Sequence, residues 1–204
     1  MNSPFYFNRM FEIENLLRRR TVKNFLPEKI PEKILANAIR VAWKSPTSLN
    51  SRPVILLDIS DRRNDEWIAH QTAVRNAPHI FLFAVSPEAG EKNARKFLAG
   101  RFGEELGGAK VDAMIAKIVA NRAEWARQQI YLTAGFFAAT LEAAGAAGCF
   151  VAGFDKKLAT VELNLPENYS AELIFATGFA DPKNDGSVET DFVRKFDDFY
   201  FPDK

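Results

Sequence analysis

The sequence predicts an α+β fold in which a small sheet is covered by helices. Three observations carry this. Segments of helical period outnumber strand-like ones in the order helix, helix, strand, helix, strand, helices, strand, short helix, strand. The clearest strand-like stretches, VILLDIS, HIFLFAV and AELIFATGFA, are continuous apolar runs, the mark of strands buried on both faces. No G-x-G-x-x-G follows any of them, and the strands are too few for an eight-stranded barrel.

The elements follow in order. FNRMFEIENLLRRR sets Phe7, Met10, Phe11, Ile13, Leu16 and Leu17 at helical spacing behind Asn8, a candidate cap. TVKNF reads as extended. PEKILANAIRVAWK opens on Pro31, which suits a first helical turn, and repeats Ile34, Leu35, Ala38, Ile39 and Ala42 on one face. The polar loop SPTSLNSRP, 45–53, joins it to the strand VILLDIS. NDEWIAHQTAVRNA, 64–77, is expected to be one helix before the strand HIFLFAV. Residues 91–122 are charged and rich in Ala, and are expected to form a helical excursion of two short helices broken at GRFGEELGG. AEWARQQIYLTAGFFAATLEAAG, 123–145, is the longest helix. Its Ala and Gly content lets backbones approach, which places it at the centre of the fold or at a subunit interface. CFVAGF reads as a short strand and turn, DKKLATVELNL as a short helix, and AELIFATGFA as a strand. From about 181 to 204 the chain is an irregular C-terminal extension. The 204 residues are expected to form one domain, 1–204.

Composition narrows the chemistry. A net charge of +1 gives no global reason to expect nucleic acid or an anionic membrane as partner, and no apolar run approaches membrane-spanning length. Cys149 is the one cysteine, so no intrachain disulfide can form, and a cytoplasmic location is the simplest expectation. With His70 and His79 the only histidines, neither a zinc site nor Ser/His/Asp or Cys/His catalysis is supported, and no metal is expected. There is no G-x-S-x-G elbow, and GEELGGAKV lacks the Gly-Lys-Ser/Thr ending of a phosphate loop. His79 and Cys149 sit in apolar stretches and read as core. An enzyme with this inventory would keep its chemistry in a cofactor.

Two polar clusters remain. RRRTVKNF, 18–25, ends a helix with Arg18, Arg19 and Arg20, where cations complement the negative end of the macrodipole. In the extended stretch that follows, Arg19, Thr21 and Lys23 can line one side: a guanidinium, a hydroxyl and an ammonium, suited to a phosphate, a polyol and a polar ring edge. Helix capping and ligand binding both remain open for the run. The loop SPTSLNSRP is the second cluster.

RRRTVKNF, the helix PEKILANAIRVAWK, the loop SPTSLNSRP and the strand VILLDIS resemble the N-terminal third of the nitroreductase family of FMN-dependent NAD(P)H oxidoreductases. NAPHIFLFAV, ARQQIYLTAGFFAATLEAAGAAG and FVAGFD extend the resemblance over most of the chain. It implies a three-layer nitroreductase-like fold with a mixed or antiparallel sheet, and a homodimer holding FMN at the subunit interface. It further implies ping-pong hydride transfer from NADH or NADPH through FMN to a nitroaromatic, quinone or flavin acceptor. By position, Arg19, Arg20, Thr21 and Lys23 match the first FMN-binding motif, with the arginines near the phosphate and Lys23 at the ring's N1–C2=O edge. Pro46, Thr47, Ser48 and Asn50, from the other subunit, match the second, and Gln129 is a flavin contact from that same chain. Gly153 falls where a backbone N–H faces flavin N5, and Arg194 with Lys195 matches the C-terminal phosphate contact. Phe97, Phe102 and Trp125 are either a substrate-stacking wall or packing. Arg52, Val54, Ala152 and Phe192 depart from the family's usual Gln, Trp, Glu and Lys, and HQTA, 70–73, lacks its Asn-x-x-Lys. These departures leave a second function open: a flavin-binding or flavin-sequestering protein of the same fold with little turnover. An interaction protein whose arginines merely cap a helix is a third.

Overall fold

A computed structural model describes residues 13–102, 107–118 and 120–185. The sheet comes first, because it positions everything else. Four strands, β1 (Val54–Asp58), β2 (His79–Val85), β3 (Ala147–Val151) and β4 (Ser170–Gly178), pair in the order β1-β2-β4-β3, every pair antiparallel. β2 and β4 are central and buried along their length, as their unbroken apolar runs require.

Alternation along β2 builds two cores. Phe81, Phe83 and Val85 face one side, with Leu173 and Phe175 of β4. Ile80 and Leu82 face the other, with Ile174 and Ala176. The first core is closed by α2 (Glu32–Trp43), α4 (Pro87–Phe102), α5 (Gly107–Ile118) and α6 (Arg122–Ala143). Phe137 of α6 sets its ring edge-on to Phe81, Phe83 and Phe175, at centroid distances of 4.9, 5.8 and 6.1 Å. The second core is closed by residues 59–77, including α3 (Thr72–Asn76), and by α7 (Lys156–Glu162). The sheet is thus the middle of three layers. A short helix, α1 (Ile13–Leu17), lies against α6, and Asn15 donates to the carbonyl of Ala143.

Most helices start and stop where local chemistry directs. Ser86 Oγ accepts from the Ala89 N–H and Pro87 occupies the first turn, so α4 begins earlier than the charged run at 91 suggests. Asn121 and Asp155 cap α6 and α7. The end of α6 is a Schellman turn: Gly145 has φ 83°, its N–H reaches the Glu142 carbonyl, and the Ala146 N–H reaches Leu141. That turn delivers the chain into β3 at Gly148. A Cβ there would lie 2.1 Å from the Phe175 ring, so only glycine fits.

Residues 64–77 differ from expectation. In place of one helix the chain makes successive turns from Arg63 to His70 and only then the five-residue α3. The Trp67 indole donates to Asp65, and Trp67 and Ile68, adjacent in sequence, are both fully buried. A regular helix would turn successive residues by about 100°; the tertiary demand to bury both overrides the periodic pattern.

Candidate functional site

The extended segment after α1 runs beside β3, the edge strand. Thr21 pairs in parallel with Gly148, the Val22 N–H donates to the Gly148 carbonyl, and Val22 is buried. This places Arg19 and Lys23 on either side of the bridge. Arg18, Arg19 and Arg20 line a cleft of about 260 Å³ with Asn15, Glu142, Ala146 and Ala147. Lys23 lines a second, of about 380 Å³, with His70, Gln71, Cys149, Val151 and Gly153. The two clefts follow one another along β3, whose five residues span about 13 Å at roughly 3.3 Å per step.

Each cleft has an internal electrostatic partner. Asp185 pairs with Arg20, and its backbone carbonyl accepts from the N–H groups of Lys23 and Asn24, so this part of the C-terminal segment crosses the arginine run. Glu142 is almost fully buried at the foot of the arginine cleft. Desolvation pushes its carboxyl up to about 7, against the opposing pull of Arg19. In the second cleft the Cys149 thiol is held above its ordinary pKa by burial, with Lys23 pulling the other way, so it forms wall rather than nucleophile. His79 is structural: its Nε2 accepts from the Ile30 N–H, and burial lowers its pKa.

His70 and Gln71 belong to this region and were not singled out by the sequence as site residues. Gln71 Nε2 donates to the Gly153 carbonyl at 2.6 Å, and His70 Nε2 lies 3.2 Å from the same oxygen. Together they hold the Gly153 carbonyl, and with it the peptide that joins Gly153 to Phe154. Their contact spans more than eighty residues of chain, so no local pattern could reveal it. Gly153 itself has room for a Cβ, whose nearest neighbour would be Gln71 at 3.7 Å.

The loop 45–53 lies on the α6 side of the sheet, and most of its polar groups hold the loop itself. Thr47 Oγ1 accepts from the Arg52 N–H, Ser45 and Thr133 hydroxyls meet at 3.1 Å, and Asn93 donates to the Ser51 carbonyl. Leu49, Asn50 and Arg52 have φ of 53°, 51° and 41°, a cluster of left-handed residues that only such bracing sustains. Pro46, Ser48 and Asn50 remain at the surface. Gln129 has a structural role within the chain. Its side chain is buried, Oε1 accepts from the Ser48 N–H at 2.9 Å and Nε2 donates to the Trp125 carbonyl at 2.9 Å. The amide thus supports the loop and keeps one lone pair and one N–H beyond these two bonds.

Trp125 is likewise packing. It is buried in the core beneath α4, against Pro53 and Gly90. Phe97 is half-buried at a cavity wall and Phe102 is exposed. Arg194, Lys195 and Phe192 lie outside the described residues.

The outer face of α6 is unusual. Tyr131, Leu132 and Phe136 are exposed on it and, with Gly135, Ala139 and Val41 of α2, line an apolar groove of about 560 Å³. A helix that is apolar on both faces is one built to be covered on both.

The family model of the nitroreductases matches residues 16–179. A curated relative, an NADH dehydrogenase of Thermus thermophilus, is 24% identical over 171 residues, covering 80% of this chain and 83% of the relative. Among solved structures, the nitroreductase family protein of Streptococcus pneumoniae superposes with a TM-score of 0.72 at 19% identity, over 94% of this chain and 99% of that one. The NADPH:FMN oxidoreductase of Vibrio harveyi, solved with NAD+, superposes with a TM-score of 0.62 at 16% identity, over 89% of this chain and 73% of the other. With the matched segment running from α1 to the end of β4, the chain belongs to the nitroreductase family and is an oxidoreductase.

Proposed function

We propose that the protein is an FMN-dependent NAD(P)H oxidoreductase that works as a homodimer, passing hydride from a nicotinamide donor to a nitroaromatic, quinone or flavin acceptor in alternating half-reactions. The observation that carries this reading is the pair of clefts along β3. Arg19 and Arg20 stand at one end and Lys23 with the Gly153 peptide at the other. That arrangement fits an elongated ligand with a phosphate at one tip and a polar ring edge further along. The donor set agrees: guanidinium forks suit phosphate, and an ammonium suits a ring carbonyl.

A bound flavin would supply the two-electron chemistry, taking hydride at N5. The chain's residues then have defined tasks. Lys23 would hold the ring's N1–C2=O edge and offer positive charge to the negative charge that reduction puts there. His70 and Gln71 hold the Gly153 carbonyl, which would steady the turn that faces a bound ring. Thr21 is anchored to β3 and aligns the strand between the two cations. Arg19 meets the phosphate, with Glu142 beneath it neutral over much of the range below pH 7 and so not opposing an anion there. Arg194 and Lys195 would add to that end. Thr47 fixes the loop, and Pro46, Ser48 and Asn50 would close the site from the partner subunit, with Gln129 as their brace. The apolar groove of α6, open among the described residues, would be covered by the second copy.

Titration of the purified protein with FMN, followed by flavin fluorescence, tests the binding half. A folded protein that leaves FMN fluorescence unchanged overturns the reading. Anaerobic addition of NADH or NADPH separates it from the alternative of a flavin-binding protein with little turnover: rapid bleaching of the flavin band belongs to the oxidoreductase, and a persistent band to the other.

A further inference from the structure

A third cavity, of about 520 Å³, lies between the 45–53 loop and α4. Its wall on the helix is one face: Asn93, Lys96, Phe97, Gly100 and Arg101 follow at steps of three, one, three and one residues. Its wall on the loop is Asn50 and Arg52. Three cationic residues, Arg52, Lys96 and Arg101, therefore line one cavity, and no carboxylate lines it among the described residues. This is a local choice, since the whole chain carries a net charge of only +1. It is also segregated within the helix. The acids of α4, Glu88 and Glu91, pair with Arg95 and Arg122 elsewhere on its surface.

Arg52 is held there at a cost. Its φ of 41° is left-handed, and its side chain is aimed by three contacts: Nε to Asn50 Oδ1 at 2.8 Å, Nη1 to the Trp43 carbonyl at 3.3 Å, and the guanidinium 4.8 Å over the Trp43 ring. All three partners are neutral, so none of them cancels its charge. Gly100 leaves the opposite wall open, since a Cβ there would meet nothing within 4 Å. Phe97 contributes a flat apolar surface beside the cations. Gathering like charges is unfavourable where, as among the described residues, no counter-charge lines the cavity, and an anion entering it relieves this. A multiply charged oxyanion is what several convergent cations recognise best.

We propose that this cavity is an anion-recognition site for the substrate, in which Arg52, Lys96 and Arg101 receive a phosphate group of a nicotinamide dinucleotide. The inference rests on the proposed function for the identity of the ligand, because Asn50, one wall of the cavity, belongs to the loop placed against the cofactor. The anion site itself does not depend on a flavin.

The test is calorimetric binding of three probes, inorganic pyrophosphate, NADP+ and NAD+, to the wild type and to Lys96→Glu, at low and at high salt. Lys96 is exposed on the helix surface, so the variant is expected to fold, and a melting curve checks this. Wild type should bind pyrophosphate with an affinity that falls as salt rises, and Lys96→Glu should lose roughly tenfold or more, while Lys96→Arg keeps it. Loss confined to NADP+ among the dinucleotides assigns the ribose phosphate; equal loss for NADP+ and NAD+ assigns the shared pyrophosphate. A wild type that binds none of the probes, or a folded Lys96→Glu that binds all three unchanged, overturns the proposal. Pyrophosphate binding in a protein that fails to bind FMN would leave the anion site standing and remove the flavin reading alone.

Discussion

The segment 18–23 and the loop 45–53 are both short, polar and bounded by regular elements, yet they use their side chains in opposite ways. The first takes its backbone order from β3 through Thr21 and Val22, which leaves Arg19 and Lys23 to face clefts. The second has no strand to lean on. It spends Ser45, Thr47, the Ser48 N–H and the Ser51 carbonyl on its own conformation, and it borrows Gln129, Thr133 and Asn93 from two helices to do so. A strand-anchored segment can offer charge, whereas a braced loop offers shape. In the proposed dimer two such regions would be complementary halves of one site, and the apolar face of α6, exposed among the described residues, would bring halves from two chains together.

That comparison can be broken at several points. The largest effect is expected at Lys23. Lys23→Ala should lower the rate of flavin reduction by roughly a hundredfold, since charge developing in the transition state loses its partner. Stopped-flow bleaching with NADPH measures it, and an unchanged rate would move the reacting edge away from the β3 cleft. Next is the interface. Phe136→Glu puts a charge in the apolar groove and should give a monomer that no longer retains FMN, read by sedimentation. A dimer that persists with flavin bound would place the contact elsewhere.

Gln129→Ala sharpens the distinction between bracing and binding. It leaves the Ser48 N–H without its side-chain partner and should cost about 1–3 kcal/mol in urea denaturation of the protein without FMN, where a purely ligand-contacting residue would cost little. The smallest effect concerns Glu142. Its carboxyl is raised from 4.5 to about 7, so the folded state holds a proton that the unfolded state has released. Stability from this group is full below pH 4.5, declines as pH rises towards 7, and is lost above it. Glu142→Gln should therefore be more stable than wild type at pH 8 and should lose that advantage near pH 4, as thermal melts across the range would report.

Much of the fold was legible because its central strands are apolar on both faces and its long helices carry their own stop signals. β2 matches the run HIFLFAV, and α6 differs from the expected 123–145 only at its ends, where Asn121 caps it and Gly145 turns the chain. Residues 64–77 were not legible, because burying Trp67 and Ile68 together is a demand of the second core and leaves no periodic trace. The site divides in the same way. Alternation in an extended run singled out Arg19 and Lys23, which line the two clefts along β3. It could not find the grip of His70 and Gln71 on Gly153, which depends on how β3 lies beside α3. The sequence resemblance made Gln129 a ligand contact and gave no sign of its second task, bracing the Ser48 N–H from α6.

The central claim is that the strand-anchored cations of one chain and the braced loop of another enclose one flavin. Sedimentation of the protein with added FMN, followed at the flavin's visible absorbance, tests it most directly. The flavin should travel with a particle of twice the chain mass. A flavin-loaded monomer, or a protein that sediments without flavin, would contradict it.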